Sequence, residues 1–459
     1  MSTWFCTGPC LVFPKRDDTV WLMRLSVLAI FSLGLPLCMA LFGEHSSRAD
    51  VSDVVRFRIT NPGQALYKIA IPGMLGDGDH GRVLQEVLSG DLNASGLFKS
   101  LDPTSFVADL AKEELSIAPD SWRTVGAEGV IKARISLNGS DLAIEFRLYE
   151  VIKGDRAVLT KSYRAPVSSV RRLAHSFADE VVRYFTGEDS FFGTQIAFSR
   201  SVGREQELVT MDYDGADQRT LTQNHSQNML PSWHPSGSSL LYTSFVRGTP
   251  DLWAIPTNGA KPRRISTRPG LNTGGVFSPD GSRIAVTLSF EGNSEIYLIT
   301  PSGELIKRLT NNPAIDSSPT WSPDGSEIAF VSDRHGSPQI WKMSATGADQ
   351  AKLTRKGSYN VEPAWNPKPL AGKSLIAFSG RDEKGTLDIF TVDASNGDLQ
   401  RITENQGSNS HPSWAPTGRA LVFKSSRGGV YISTADGKTQ RPIFRGNADA
   451  PSWGPIPKR

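Results

Sequence analysis

One phrase recurs through the second half of this 459-residue chain. It reads Pro-Thr-Trp-Ser-Pro-Asp-Gly at 319–325, and its copies are centred on aromatic residues 44, 44, 44, 49 and 39 positions apart, namely Trp233, Phe277, Trp321, Trp365, Trp414 and Trp453. A period of about 40–50 residues is typical of propeller blades. The six anchors therefore predict a six-bladed β-propeller.

Each repeat also carries the pattern of four strands. A β-branched or aromatic run follows the phrase, a third run begins with a polar residue, and a fourth closes in Leu or Ile before Ser or Thr. In four repeats the polar residue and the closing Leu or Ile are 14 positions apart, as between Asp251 and Ile265. A glycine-bearing hairpin joins these last two runs, as antiparallel pairing requires. Four such strands make one blade.

The two ends of the array are out of phase. The first unit, at 196–222, has no preceding phrase, and the last copy, at 451–455, has nothing after it. The simplest assembly makes the strand of Trp453 the innermost strand of the first blade, which closes the ring and removes exposed sheet edges. We therefore expect residues 189–459 to form the propeller, closed by the C-terminal strand.

The repeated turns and anchors each admit a functional interpretation. The Asp of Ser-Pro-Asp-Gly is a candidate metal ligand or acid/base, but Pro followed by Asp-Gly is also the chemistry of a hairpin turn. The tryptophans are candidates for stacking on carbohydrate, but one per repeat at a fixed position is what packing between blades requires. We expect turns and core in both cases.

Residues 50–188 predict a two-layer α/β domain. Strand-like runs lie at 54–60 and 67–73, helical periodicity lies at 81–96, and runs at 129–137, 142–151 and 157–165 suit an antiparallel meander. A second helix is expected to begin after an N-capping Ser169 and to end before Gly187. His80 and His175 have no partner at a useful spacing, so a solvated or structural role is expected for both.

Composition and motifs give no case for catalysis or nucleic-acid binding. Lys plus Arg is 50 and Asp plus Glu is 47, without a dense basic run. The chain has no Gly-x-Ser-x-Gly elbow and neither His-x-x-x-His nor Glu-x-x-His. We expect no catalytic residue, cofactor, metal or small-molecule substrate, although groups from separate blades could converge.

Residues 1–49 predict a secretory signal peptide. An uncharged apolar stretch of 18 residues at 25–42 follows an arginine and leads to a small-residue exit ending at Ala49. Met23 is a second candidate start. The rival interpretation is an uncleaved membrane anchor, because 18 apolar residues can just span a bilayer. Pro36 and the small-residue exit favour cleavage after Ala49.

The order of these parts resembles the TolB family, the periplasmic propellers of the Tol-Pal envelope system. The resemblance rests on the six-fold phrase, on Leu-Thr-Asn-Asn at 309–312 and on Tyr-Phe-Thr-Gly-Glu at 184–188. It implies a non-enzymatic, monomeric periplasmic protein that binds Pal, the peptidoglycan-associated lipoprotein, over one mouth of the propeller. It also implies binding of TolA through the mature N-terminus, and roles in outer-membrane integrity and cell division.

In the family the Pal contacts lie on loops entering each innermost strand. The matching residues here are Asn228, Met229, Leu230, Asn272, Thr273, Gly274, Asp316, Ser317, Ser318, Asn360, Val361, Glu362, Asn409, Ser410, His411, Ala448, Asp449 and Ala450. The TolA-like segment comprises Asp50, Val51, Ser52, Asp53, Val54, Val55, Arg56, Phe57, Arg58, Ile59, Thr60 and Asn61. Its alternation could add a strand to a partner's sheet or begin the domain's own sheet.

Two other functions remain open from the sequence. One is a propeller hydrolase or lyase acting on periplasmic glycan or peptide. The other is a scaffold of the same architecture that binds different partners.

Overall fold

The computed structural model describes residues 66–457. The predictions for the signal peptide, the strand at 54–60 and the TolA-like segment fall outside these residues. Within the described range, no helix is both long and apolar enough to cross a bilayer.

The chain from Tyr67 to Thr186 forms a six-stranded sheet with helices. In chain order the elements are β1 (Tyr67–Ala70), β2 (Leu75–Gly76), α1 (Gly78–Ala94), β3 (Phe98–Ser100), α2 (Leu110–Glu113), α3 (Pro119–Thr124), β4 (Gly129–Asn138), β5 (Asp141–Glu150), β6 (Leu159–Pro166) and α4 (Val170–Thr186). The strand order is β3-β1-β4-β5-β6, with β2 beside β4. The antiparallel β4-β5-β6 run confirms the predicted meander.

Helices α1 and α4 pack together on one face of this sheet, where Leu88 and Phe177 are fully buried. Phe146 of β5 stacks on Phe177 of α4 with ring centroids 4.4 Å apart. The segment carrying α2 and α3 covers the other face and buries Trp122 there. Burial of large side chains on both faces makes this region a packed unit.

The ends of the two long helices differ in detail from the sequence prediction. Helix α1 begins at Gly78, ahead of Gly81, because the side chain of Asp77 caps it by accepting from the backbone N–H of His80. Ser169 precedes α4 as predicted, but its hydroxyl accepts from Arg172 and caps no backbone group. Gly187 ends α4 in the left-handed conformation, as predicted.

Residues 195–453 form six four-stranded sheets, which confirms the count of blades. Their strands, in chain order, are β7 (Gln195–Val202), β8 (Glu205–Asp212), β9 (Arg219–Thr220); β10 (Asn228–Trp233), β11 (Ser239–Ser244), β12 (Asp251–Pro256), β13 (Arg263–Ser266); β14 (Asn272–Phe277), β15 (Ile284–Leu288), β16 (Glu295–Ile299), β17 (Leu305–Arg308); β18 (Asp316–Trp321), β19 (Glu327–Ser332), β20 (Gln339–Ser344), β21 (Ala351–Lys352); β22 (Asn360–Trp365), β23 (Leu375–Arg381), β24 (Leu387–Asp393), β25 (Leu399–Arg401); β26 (Asn409–Trp414), β27 (Ala420–Ser425), β28 (Gly429–Thr434), β29 (Gln440–Phe444); and β30 (Ala448–Trp453).

Strand β30 pairs antiparallel with β7 and completes the first blade, so the ring closes as predicted. Trp453 packs against Phe191 with ring centroids 5.3 Å apart. Its indole N–H donates to Thr194 Oγ1 at 2.8 Å. The last strand of the chain is thus fixed by both pairing and packing.

The repeated phrase has the structural role expected of it. The anchors are buried, except Trp233, which is half-buried. Asp324 accepts from Ser322 and Ser326, and these hydrogen bonds lower the pKa of Asp324 to about 2. Gly325 then adopts φ of +71°, a value that favours glycine. These side chains form a hairpin turn and an inter-blade core.

Candidate mouth of the propeller

The propeller has two ends, which its strand directions distinguish. The innermost strands begin at one end, the mouth, where the second strand ends and the third begins. The turn after each anchor and the hairpin between the third and fourth strands lie at the other end, the base. All the residues predicted to contact Pal therefore lie at the mouth.

The first residue of each predicted triplet is buried. These residues open the innermost strands five positions before each anchor, and they are Asn228, Asn272, Asp316, Asn360, Asn409 and Ala448. Burial takes them out of reach of a partner's surface. The accessible part of the predicted site is therefore formed by the second and third residues of each triplet, which are half-exposed except the buried Ala450.

The buried Asn360 joins two blades through a hydrogen-bonded latch. Its amide donates at 2.8 Å to Oε1 of Gln339, the polar residue that opens the third strand of the preceding blade. Thr354 donates to the same oxygen at 2.8 Å and accepts from the backbone of Ile340 at 3.0 Å. A buried polar group without such partners would be costly, so the three side chains are mutually required.

Similar latches join blades one and two, through Glu207 and Asn228, and blades five and six, through Asp388 and Asn409. Thr403 donates to Asp388 at 2.7 Å and accepts from Ile389, 14 positions before it. Glu207 accepts from both Thr222 and Asn228. The constant interval of 14 residues in the sequence is the spacing at which a fourth-strand hydroxyl meets a third-strand N–H. The interval is visible in the sequence, whereas the buried network that requires it is not.

We expect Thr354→Val to lower the free energy of unfolding by about 1–3 kcal/mol, because Gln339 and the Ile340 N–H each lose a partner inside the protein. Chemical denaturation followed by circular dichroism measures the change. Thr346→Val is the matched control, since Thr346 is exposed in the hairpin of the same blade. Equal effects of the two substitutions would contradict the latch.

The third residue of each triplet lies at a β-bulge. Leu230, Gly274, Ser318, Glu362, His411 and Ala450 all have φ between +46° and +63°. At each of these positions the register of the innermost strand shifts against the second strand. In five copies the next residue is proline, which cannot donate to a strand ladder and is found at bulges. The proline of the repeated phrase therefore marks the bulge.

The bulges bring charged side chains of blades five, six and one together. His411 Nε2 lies 3.0 Å from Glu362 Oε1, and His411 Nδ1 lies 3.4 Å from Asp449 Oδ1. Lys424 Nζ pairs with Asp449 Oδ2 at 3.1 Å. Ser379 and the His411 N–H both donate to Glu362 and hold its carboxylate in place. We call this set of four residues, Glu362, His411, Lys424 and Asp449, the charged half of the mouth.

Blades two to four present a different surface. Their third-position residues are Leu230, Gly274 and Ser318, none of which is charged. Three apolar side chains in the neighbouring mouth loops are exposed, namely Val246, Leu271 and Ile315. Together with Met229 and Leu230 they form what we call the apolar half of the mouth. The bulge residues of the mouth are thus charged on one side of the ring and uncharged on the other, a difference that the repeat alone did not reveal.

The base is covered by the α/β region next to the first and last blades. Tyr213, just after β8, donates through its hydroxyl to Asp91 of α1 at 2.5 Å. Arg171 of α4 forms an ion pair with Asp214. Phe191, Ile432 and Ile443 share one hydrophobic core with the α1 and α4 side chains. The α/β region lies against the base, which leaves the mouth available to another molecule.

His175 has a structural environment that its sequence neighbours did not indicate. It is buried, and its Nδ1 is 2.8 Å from Asp91 Oδ2, a residue 84 positions away. His80 pairs with Asp77 at the start of α1. The absence of a partner at short spacing was therefore a poor guide for His175, because its partner comes from another helix.

Comparison with known proteins identifies relatives for both regions. Residues 182–457 match the family model described as the TolB beta propeller domain, and residues 55–157 match the TolB amino-terminal domain. The crystal structure of TolB from Acinetobacter baumannii is similar with a TM-score of 0.75 and 27% identity, covering 86% of this chain and 98% of that one.

Curated relatives share shorter segments. The Tol-Pal system protein TolB of Anaeromyxobacter dehalogenans is 44% identical over 191 residues, covering 40% of this chain and 44% of its own length. The protein of that name from Dinoroseobacter shibae is 30% identical over 239 residues, covering 50% of this chain and 53% of its own length. The chain thus spans about half the length of the curated relatives it matches.

Proposed function

The chain belongs to the TolB family, and from that premise we propose that it is a non-enzymatic periplasmic component of the Tol-Pal system. In this role it binds Pal through the mouth of the propeller and TolA through residues 50–61. It thereby contributes to outer-membrane integrity and to constriction at cell division. The names of the relatives support membership of the system, and the partners are our inference.

The proposal that Pal binds at the mouth rests on the presence of an apolar half and a charged half. Exposed apolar side chains at the centre of an interface commonly supply most of the binding energy, whereas charged residues steer and orient the partner. The apolar half offers Leu271 and Ile315, and the charged half offers Glu362 and Lys424. A protein surface with both an apolar and a charged region would match this mouth.

Because some of the predicted contact residues are buried, only exposed positions are suitable for testing Pal binding by substitution. Asp316 is fully buried and bonded to Arg334, so reversal of its charge would disturb folding. Ile315, its neighbour, has 53% of its surface exposed and can be changed without that cost. Glu362→Gln removes a charge from the other half and retains an oxygen for its hydrogen bonds.

We expect Ile315→Asp to weaken binding of purified Pal about 30-fold, as expected for loss of about 2 kcal/mol at an interface hot spot. Glu362→Gln should weaken it less and should reduce the salt dependence of the association rate. Surface plasmon resonance on immobilised Pal measures both. Ile306→Asp is the matched control, because Ile306 is a 47% exposed isoleucine on the outer strand β17. Similar affinity for all variants would refute binding at the mouth.

The TolA proposal concerns a segment outside the described residues and rests on the family resemblance. A synthetic peptide of residues 50–61 should compete with the full chain for the C-terminal domain of TolA. A scrambled peptide of the same composition is its control, and equal competition by both would reject the assignment.

A further inference from the structure

A group of three potential metal ligands lies where α4 meets the first blade at the base. His175 comes from the middle of α4, Asp212 is the last residue of β8, and Asp214 lies in the turn after it. One imidazole nitrogen and one oxygen from each carboxylate lie within 4.8 Å of one another. His175 Nε2 and Asp214 Oδ2 are 3.8 Å apart. The α/β region and the propeller both contribute to this group.

The hydrogen bonding of the His175 imidazole is typical of a metal-binding histidine. His175 is only 3% exposed, and its Nδ1 is bonded to Asp91 Oδ2 at 2.8 Å. Asp91 is fixed in turn by the hydroxyl of Tyr213. A carboxylate on one ring nitrogen orients a metal-ligating histidine and raises its basicity. The other nitrogen, Nε2, is buried and makes no hydrogen bond within residues 66–457.

We propose that His175, Asp212 and Asp214 form a divalent-metal site suited to zinc. Zinc is bound by imidazole nitrogen and carboxylate oxygen at about 2.0–2.2 Å, which places neighbouring tetrahedral ligand atoms roughly 3.3–3.6 Å apart. The separation of 3.8 Å is close to this value, and rotation of the two carboxylates closes the remainder. Among the described contacts, the Asp212 carboxylate accepts one side-chain hydrogen bond, from Gln195 at 3.4 Å. Because this hydrogen bond is long, the carboxylate can rotate toward a metal ion.

A path to solvent exists for the ion and for a fourth, water ligand. His175 and Asp212 both line a cleft of about 820 Å³ between α4 and the base of the propeller. Three protein ligands plus one open position is a common arrangement around zinc. The cleft supplies the open side.

Arg171 is the internal competitor of the metal. Its guanidinium forms an ion pair with Asp214 Oδ2, the oxygen nearest His175 Nε2. Arg171 retains 32% side-chain exposure, so it can withdraw to solvent when a cation takes its place. Metal binding therefore replaces the guanidinium of Arg171 with a metal cation. The bound metal then links α4 to β8 more tightly.

Isothermal titration of the untagged full chain with zinc chloride tests the site, after alkylation of the three cysteines. We expect one zinc ion per chain and a rise in unfolding temperature of about 2–5 °C at saturating zinc. Asp212→Asn should weaken binding at least tenfold, because a neutral amide is a poorer ligand for zinc. Arg171→Met should tighten binding by about tenfold, because it removes a like charge from the site.

His411→Gln separates this site from the charged half of the mouth, which also holds a histidine between carboxylates. Zinc binding that is unchanged by His411→Gln and weakened by Asp212→Asn supports the proposal. Absence of zinc binding overturns it, and so does binding that Asp212→Asn leaves unchanged. A loss of binding in His411→Gln alone would place the ion at the mouth and also overturn it.

Discussion

A chain that ends at Asn447 is expected to lose cooperative unfolding altogether. Strand β30 supplies the innermost strand of the first blade, from Ala448 opposite Arg200 to Trp453 opposite Ile196. Its removal exposes the edge of β7 and the apolar faces of both adjoining blades. The backbone N–H of Trp453 also donates to Ser413 of blade six, and the Trp233 indole donates to the Ser452 carbonyl. One strand therefore connects three blades, and its loss opens the ring.

Differential scanning calorimetry of the truncated and full chains measures this effect. A chain that ends at Pro457 is the control, because it keeps β30 and loses only the last two residues. Trp453→Ala in the full chain should still unfold cooperatively, but with stability reduced by about 3–5 kcal/mol, because the strand pairing remains while a large buried side chain is lost. A truncated protein that melts like the full chain would show that the ring does not need its closing strand.

Gly303→Ala is expected to cost about 3–5 kcal/mol of stability, a large effect for one methyl group. Gly303 lies in the hairpin between β16 and β17 with φ of +96°, and a Cβ there would lie 1.9 Å from the carbonyl oxygen of Ile265. That carbonyl belongs to the fourth strand of the preceding blade. The blades would have to move apart to admit the methyl group.

Gly259→Ala separates the steric clash from backbone strain. Gly259 occupies the same hairpin position one blade earlier with φ of +85°, but a Cβ there meets no atom within 4 Å. We expect this substitution to cost only the strain of the left-handed conformation, about 1–2 kcal/mol. Urea denaturation of the two variants gives the difference. Equal losses would mean that the close approach of neighbouring blades at Gly303 carries no energetic weight.

The architecture of this protein can be predicted from its sequence alone. The spacing of the anchors predicted six blades, and the phase of the two ends predicted closure by β30. The Asp-Gly turns, the β4-β5-β6 meander and the end of α4 at Gly187 were also predicted correctly. These features depend either on residues close together in the chain or on a repeat. Both kinds of pattern are visible in the sequence itself.

Which mouth residues a partner can reach depends instead on contacts between blades. Asn228, Asn360 and Asn409 are among the predicted partner contacts, but they are buried in latches between blades. The difference arises because a latch needs the third and fourth strands of one blade and the first strand of the next. No local pattern of polar residues distinguishes a loop residue facing solvent from one that completes such a network.

The same reason applies to the two-sided mouth and to the group around His175. Glu362 and His411 are 49 positions apart, and Asp91 and Tyr213 are 122 positions apart. The first pair meets because neighbouring blades adjoin each other, and the second pair meets because the α/β region packs on the base of the propeller. The repeats specify the architecture of this protein. The chemistry of its surfaces depends on positions where the repeats differ and on contacts between segments that are distant in the sequence.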